Sequence, residues 1–60
     1  MQLYLLKWRT DGEYLYSATG PGAYNWCKSR DMALRFQRRA AFALRAMWGR
    51  YASSIAVVRA

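Results

Sequence analysis

Five arginines and one phenylalanine are the side chains best suited to chemistry in this sequence. They are Arg35, Arg38, Arg39, Arg45 and Arg50, with Phe42 among them. Wound as a helix at about 100° per residue, the stretch from Asp31 to Tyr51 gathers them on one side. Ala33, Phe36, Ala40, Ala43, Leu44, Met47 and Trp48 then fall on the other side, as a core-building face. A planar guanidinium makes paired hydrogen bonds to carboxylate or phosphate and stacks on rings. An aromatic among arginines suits an interface anchor. No Asp or Glu follows Asp31, so apart from Arg35, four residues after Asp31, these arginines lack the i,i+4 acidic partners that an ordinary solvated helix carries. The chemistry expected is recognition of an acidic surface, with an unremarkable solvated face as its plain competitor.

A second basic and aromatic group is Lys7, Arg9, Tyr14 and Tyr16. Placed on one face of a hairpin, it resembles surfaces on which single-stranded bases stack, although tyrosine is also a normal strand residue.

Catalysis is poorly served. The chain has no His and three acids. Asp11 and Glu13 fall in a turn and Asp31 at a helix start, so general acid–base chemistry lacks its usual groups. Cys27 is the single cysteine. It has no His to activate it, cannot form an intrachain disulfide, and reads as a small buried apolar residue. No zinc site can be assembled from one Cys. Gly20-Pro21-Gly22 lacks the Lys and Ser/Thr of a phosphate loop and reads as a turn. The expectation is a non-enzymatic protein with no cofactor and no metal.

Positioning these residues requires a fold that 60 residues can support. One small domain is the limit, and it buries only about 60% of the surface its unfolded chain exposes. Three Trp, five Tyr and two Phe could supply a dense core, or a smaller core with a dimer seam. Alternation marks a strand over Gln2 to Arg9, and Asp11-Gly12 signals a hairpin with a return strand from Glu13 to Ala18. With Asp11 and Gly12 as the two loop residues, Trp8 faces Leu15 and Leu6 faces Ser17 on the core side. Arg9 then faces Tyr14, and Lys7 faces Tyr16, on the other side. Thr19 to Gly22 is a loop. Residues 23–28 could form a third strand. Ser29 or Asp31 caps a short helical turn at 31–36, Gln37 marks a break, and a longer helix follows over 38–50 with Gly49 as its stop. Ser53 and Ser54 turn the chain into a last strand, Ile55 to Val58. The fold expected is α+β in the order β-β-(β)-α-β: a three- to four-stranded, mostly antiparallel sheet with one main helix on one face.

The run from Trp26 through Ala33-Leu34-Arg35-Phe36 to Gln37-Arg38-Arg39-Ala40-Ala41 resembles short proteins encoded by bacteriophages and prophages. In those a hairpin and an aromatic strand precede an "A-x-x-F" element and an Ala-containing helix. The resemblance implies a non-enzymatic accessory protein, in a group of which some members bind and inhibit host machinery. It brings no catalytic residues. Where that group usually has acids at the helix start, this chain has Arg38 and Arg39.

A net charge of +7, from ten Lys+Arg against three Asp+Glu, favours an acidic protein surface, nucleic acid or anionic lipid as partner. The partner expected first is an acidic host protein surface, in transcription or antiviral-defence machinery. Nucleic acid bound through the same arginines is the alternative. No membrane partner is expected, because the apolar helix face is needed for the core and no run approaches the roughly 20 apolar residues of a span. No secretory signal is read, so the location expected is the bacterial host cytoplasm. A homodimer would shelter aromatics that one helix and three short strands cannot cover.

Overall fold

The computed structural model describes residues 2–20 and 22–60. The loop expected at Thr19 to Gly22 therefore includes one position, Pro21, that lies outside the described residues. Four strands form one antiparallel sheet: β1 (Tyr4–Trp8), β2 (Tyr14–Ala18), β3 (Tyr24–Cys27) and β4 (Ile55–Arg59), in the spatial order β3-β2-β1-β4. One α-helix, α1 (Arg38–Ala46), packs on the sheet between two 3₁₀ turns at Arg30–Met32 and Gly49–Ser54. This is the α+β fold expected, with the third strand present.

The core lies between α1 and one sheet face. Leu6, Leu15, Ala41 and Ile55 are fully buried, and Tyr4, Trp8, Trp26, Phe36, Leu44, Trp48 and Val57 pack around them. Pairing puts Leu6 beside Val57, and Leu15 beside Trp26, so one row of apolar side chains crosses the strands on this face.

The hairpin register differs from the expected one by two residues. Lys7, not Arg9, faces Tyr14. The loop holds four residues, Arg9 to Gly12, closed by Gly12 N–H on the Trp8 carbonyl at 2.9 Å and Trp8 N–H on the Glu13 carbonyl at 2.8 Å. A two-residue type I′ turn would need positive φ at both Asp11 and Gly12. Among the described residues only glycines take positive φ, and Gly12 does so at +70°. The longer loop also lets Arg9 N–H continue pairing toward β4, on the Ser54 carbonyl. A shift of two keeps the faces of β1, so Leu6 and Trp8 remain inside. Ser17 does not. A bulge at Tyr16 makes Ser17 the partner of Asn25, on the face away from Trp26.

The segment expected as a helical turn at 31–36 is instead a 3₁₀ turn at Arg30–Met32 followed by extended chain. It wedges between β1 and β2. Leu34 N–H donates to the Leu15 carbonyl at 2.9 Å, while Tyr4 and Phe36 exchange both backbone hydrogen bonds at 2.8 and 2.9 Å. The hairpin thus pairs near its turn and is splayed by residues 34–36 beyond it. Gln37 stays extended, and its carbonyl accepts the first helical bond from Ala41. Because α1 starts only at Arg38, its inner side is set by Ala41 and Leu44. Ala40, Ala43 and Met47, expected in the core, are exposed. The helix also ends earlier than expected, at Ala46. Gly49, at φ +57°, then takes the left-handed conformation that halts a helix without a Cβ clash.

The second sheet face carries Leu5, Lys7 and Tyr14. Arg30 lies across it, with its guanidinium 5.8 Å from the Tyr14 ring centre and Nη2 donating to the Arg59 carbonyl. Leu5, on the strand between those two contacts, is 1% exposed.

Candidate nucleic-acid or protein interface on helix α1

The arginines expected together on one helix face separate into three groups. Arg38 and Arg39 occupy the first turn of α1 and are exposed. Arg38 sits over the Phe42 ring, 5.7 Å from its centre, a distance at which a guanidinium is attracted to the ring face. Phe42 is 43% exposed. No acid lies in this first turn, so two cations face the positive end of the helix dipole, which disfavours the helix by a few tenths of a kcal/mol.

Arg45 turns inward. Its Nε–H donates to the carbonyls of Ala52 and Ile55, at 2.8 and 2.7 Å, and the residue is half-buried. It binds the 3₁₀ turn and the start of β4 to the helix, so it does not belong to the outer face where the sequence placed it. A single helical turn leaves carbonyls unmatched, and a charged donor satisfies them well.

Arg35 and Arg50 are off the helix. Arg35 lies exposed in the extended segment before α1. Arg50 lies in the 3₁₀ turn after it, 5.2 Å from the centre of the Tyr51 ring, and Tyr51 is 53% exposed. What shares the outer side of α1 with Arg39 and Phe42 is apolar: Ala43, Ala46 and Met47, the last 67% exposed. That stripe follows from i, i+3 and i+4 spacing counted from Arg39. It was hidden in the sequence because the apolar side was drawn through Ala33 and Phe36, which lie outside the helix.

The second candidate surface also divides. Lys7 and Tyr14 meet, with Lys7 Nζ 5.5 Å from the Tyr14 ring centre. Together with Arg30 this places two cations on one ring. Arg9 is elsewhere: its Nε–H donates to the Ser53 carbonyl at 2.9 Å, fastening the hairpin loop to the 3₁₀ turn before β4. Tyr16 sits at the bulge and is half-buried. Cys27 is half-buried rather than a core residue, and its thiol lies 3.6 Å from the Ser29 carbonyl.

Ring packing on the β3 side escaped the sequence reading. Trp26 lies 5.4 Å from Trp8 and 5.7 Å from Trp48, and Tyr24 lies 4.8 Å from Trp48. These tilted and edge-on contacts tie the end of α1 to β3. Chemically, the outer side of α1 offers guanidinium donors on Arg38 and Arg39 beside an apolar strip centred on Phe42. No helix among the described residues is long and apolar enough to cross a membrane. Comparisons with family models, with curated proteins and with solved structures found no match to this chain.

Proposed function

We propose that this is a non-enzymatic binding protein that docks an acidic protein surface on the outer side of α1, in the manner of a phage accessory protein that modulates a host complex. The observation that carries this reading is Phe42: a large ring left 43% exposed beneath the Arg38 guanidinium, on a helix side without a single carboxylate. An aromatic anchor ringed by charged donors is the composition of interface hot spots. In the proposed complex Phe42 enters a small apolar pocket, Met47 and Ala43 extend the contact, and Arg38 and Arg39 pair with carboxylates at the rim. Arg50, beside exposed Tyr51, serves as an outlying contact. Arg45 has no part in it beyond holding the fold.

Direct nucleic-acid binding is the second reading, favoured by the excess of cations. The Tyr14 ring already packs with Lys7 and Arg30, which weakens base stacking there and leaves phosphate contact as the mode. Affinity capture from a bacterial lysate tests both, using wild type beside an R38A/F42A double variant. A protein retained by wild type after nuclease treatment and lost by the variant supports docking on α1. Equal retention by the variant overturns it. Loss of all capture on nuclease treatment, with affinity falling steeply and linearly in log salt, establishes the phosphate reading instead.

A further inference from the structure

We infer that the outer edge of β3 is the seat of a second copy of this chain, paired antiparallel about a two-fold axis through Asn25. The hydrogen-bond parity identifies the open groups. Thr19 N–H donates to the Ala23 carbonyl, and Ser17 pairs with Asn25. Alternation in an antiparallel ladder then turns the N–H and C=O of Tyr24 outward. The Leu15 carbonyl points away from β3, to Leu34, so its partner Trp26 also presents its backbone outward. Among the described residues no hydrogen bond reaches these groups of Tyr24 and Trp26. They are spaced to satisfy one another in a copy: Tyr24 against Trp26 of the second chain, and Trp26 against its Tyr24, with Asn25 opposite Asn25. Two four-stranded sheets would become one of eight.

Charge selects a copy as the occupant. From Tyr14 to Cys27 the sequence carries no charged residue, while Lys7, Arg9, Lys28 and seven further arginines occupy the rest of the chain. Two molecules of net charge +7 approach with least repulsion where the paired strands themselves carry no cation, and Tyr24–Cys27 is such a strand. An acidic partner gains nothing from a neutral edge and is drawn to α1. The two surfaces are therefore independent, and either can fail without the other. Edge strands that avoid pairing carry Lys, Pro or a covering element; Tyr24–Cys27 has none of these within it.

Directly opposed residues that do not exchange hydrogen bonds across an antiparallel pair lie about 4.5 Å apart at Cα, close enough for a disulfide. Asn25 is exposed and tolerates replacement without touching the core. In a Cys27→Ser background, Asn25→Cys is expected to oxidise to a covalent dimer, while Thr10→Cys, an exposed turn position, stays monomeric under the same oxidant. Light scattering on the reduced wild type should show the mass doubling within roughly 1 μM to 1 mM, the range in which small interfaces dissociate. Asn25→Lys should raise the dissociation constant by about fivefold through like charges facing each other. A wild type that stays monomeric throughout that range overturns the inference. So does a dimer in which Asn25→Cys crosslinks no faster than Thr10→Cys.

Discussion

At the outer edge of β4, Ile55 donates its N–H to the Ala52 carbonyl and offers its own carbonyl to Arg45. Arg30 takes the Arg59 carbonyl at the other end of the strand, so that Val57 between them is left with its backbone open. At the outer edge of β3 the backbone of Tyr24 and Trp26 stays open. The two sides of the sheet are also held by different forces. The β4 side is fastened by guanidinium donors from Arg9, Arg30 and Arg45 to backbone carbonyls. The β3 side is fastened by rings, Trp8 to Trp26 to Trp48 to Tyr24. The lesson is that net charge overstates what a partner can reach. Three arginines are engaged by the fold itself, and of the rest only Arg38 and Arg39 lie on the helix beside Phe42.

Removing the ring contacts is expected to have the largest effect. Trp48→Ala should destabilise by about 3–5 kcal/mol, enough to unfold most molecules of so small a domain at 25 °C. Urea titration followed by near-UV circular dichroism measures it, and an unchanged midpoint would show that rings do not hold β3. Arg45→Met comes next. Its loss leaves the Ala52 and Ile55 carbonyls without their charged donor, at a cost of about 2–3 kcal/mol. Arg45→Lys should recover only part, because one ammonium lacks the fixed fork geometry. The same variant frees the β4 edge, so aggregation followed by light scattering should rise with it. Arg30→Ala should cost roughly 1 kcal/mol, read as faster amide exchange at Val58 and at Ala60, whose N–H donates to the Leu3 carbonyl. Phe42→Ser is expected to change stability by no more than about 0.5 kcal/mol while abolishing capture of the partner. A large loss of stability there would mean that Phe42 belongs to the core.

The alternating strands, the connecting glycines and the terminal β-branched run were legible because each depends on neighbours in sequence. Leu6, Trp8 and Leu15 could be assigned to the core for that reason. The register was not, since Asp-Gly admits both a two-residue loop and the four-residue loop in which only Gly12 takes positive φ. The helix phase failed for one definable reason. Gln37 was visible as a break, but Ala33 and Phe36 before it were counted into the apolar side and drew that side toward Ala40, Ala43 and Met47, away from Ala41, Leu44, Arg45 and Trp48. Nothing local marks Ala33–Phe36 as an inserted segment, because its partners, Tyr4 and Leu15, are remote. Nor does the sequence distinguish Arg45 from Arg39, since only the arrival of the Ala52 and Ile55 carbonyls gives Arg45 an inward task.

The wedge of residues 34–36 between β1 and β2 governs how the chain can assemble. A hairpin that pairs only beside its turn gains too little to persist alone in water. Strand β1 finds its remaining partners far along the chain, Phe36 on one side and Ile55 through Arg59 on the other. Such distant pairings must close large loops before they reward the chain. Folding is thus expected to be slow for 60 residues and all-or-none, with β1 as the last strand to become secure. Coincident urea transitions in far-UV and near-UV circular dichroism, with a single refolding phase, would bear this out, and an early hairpin signal would contradict it.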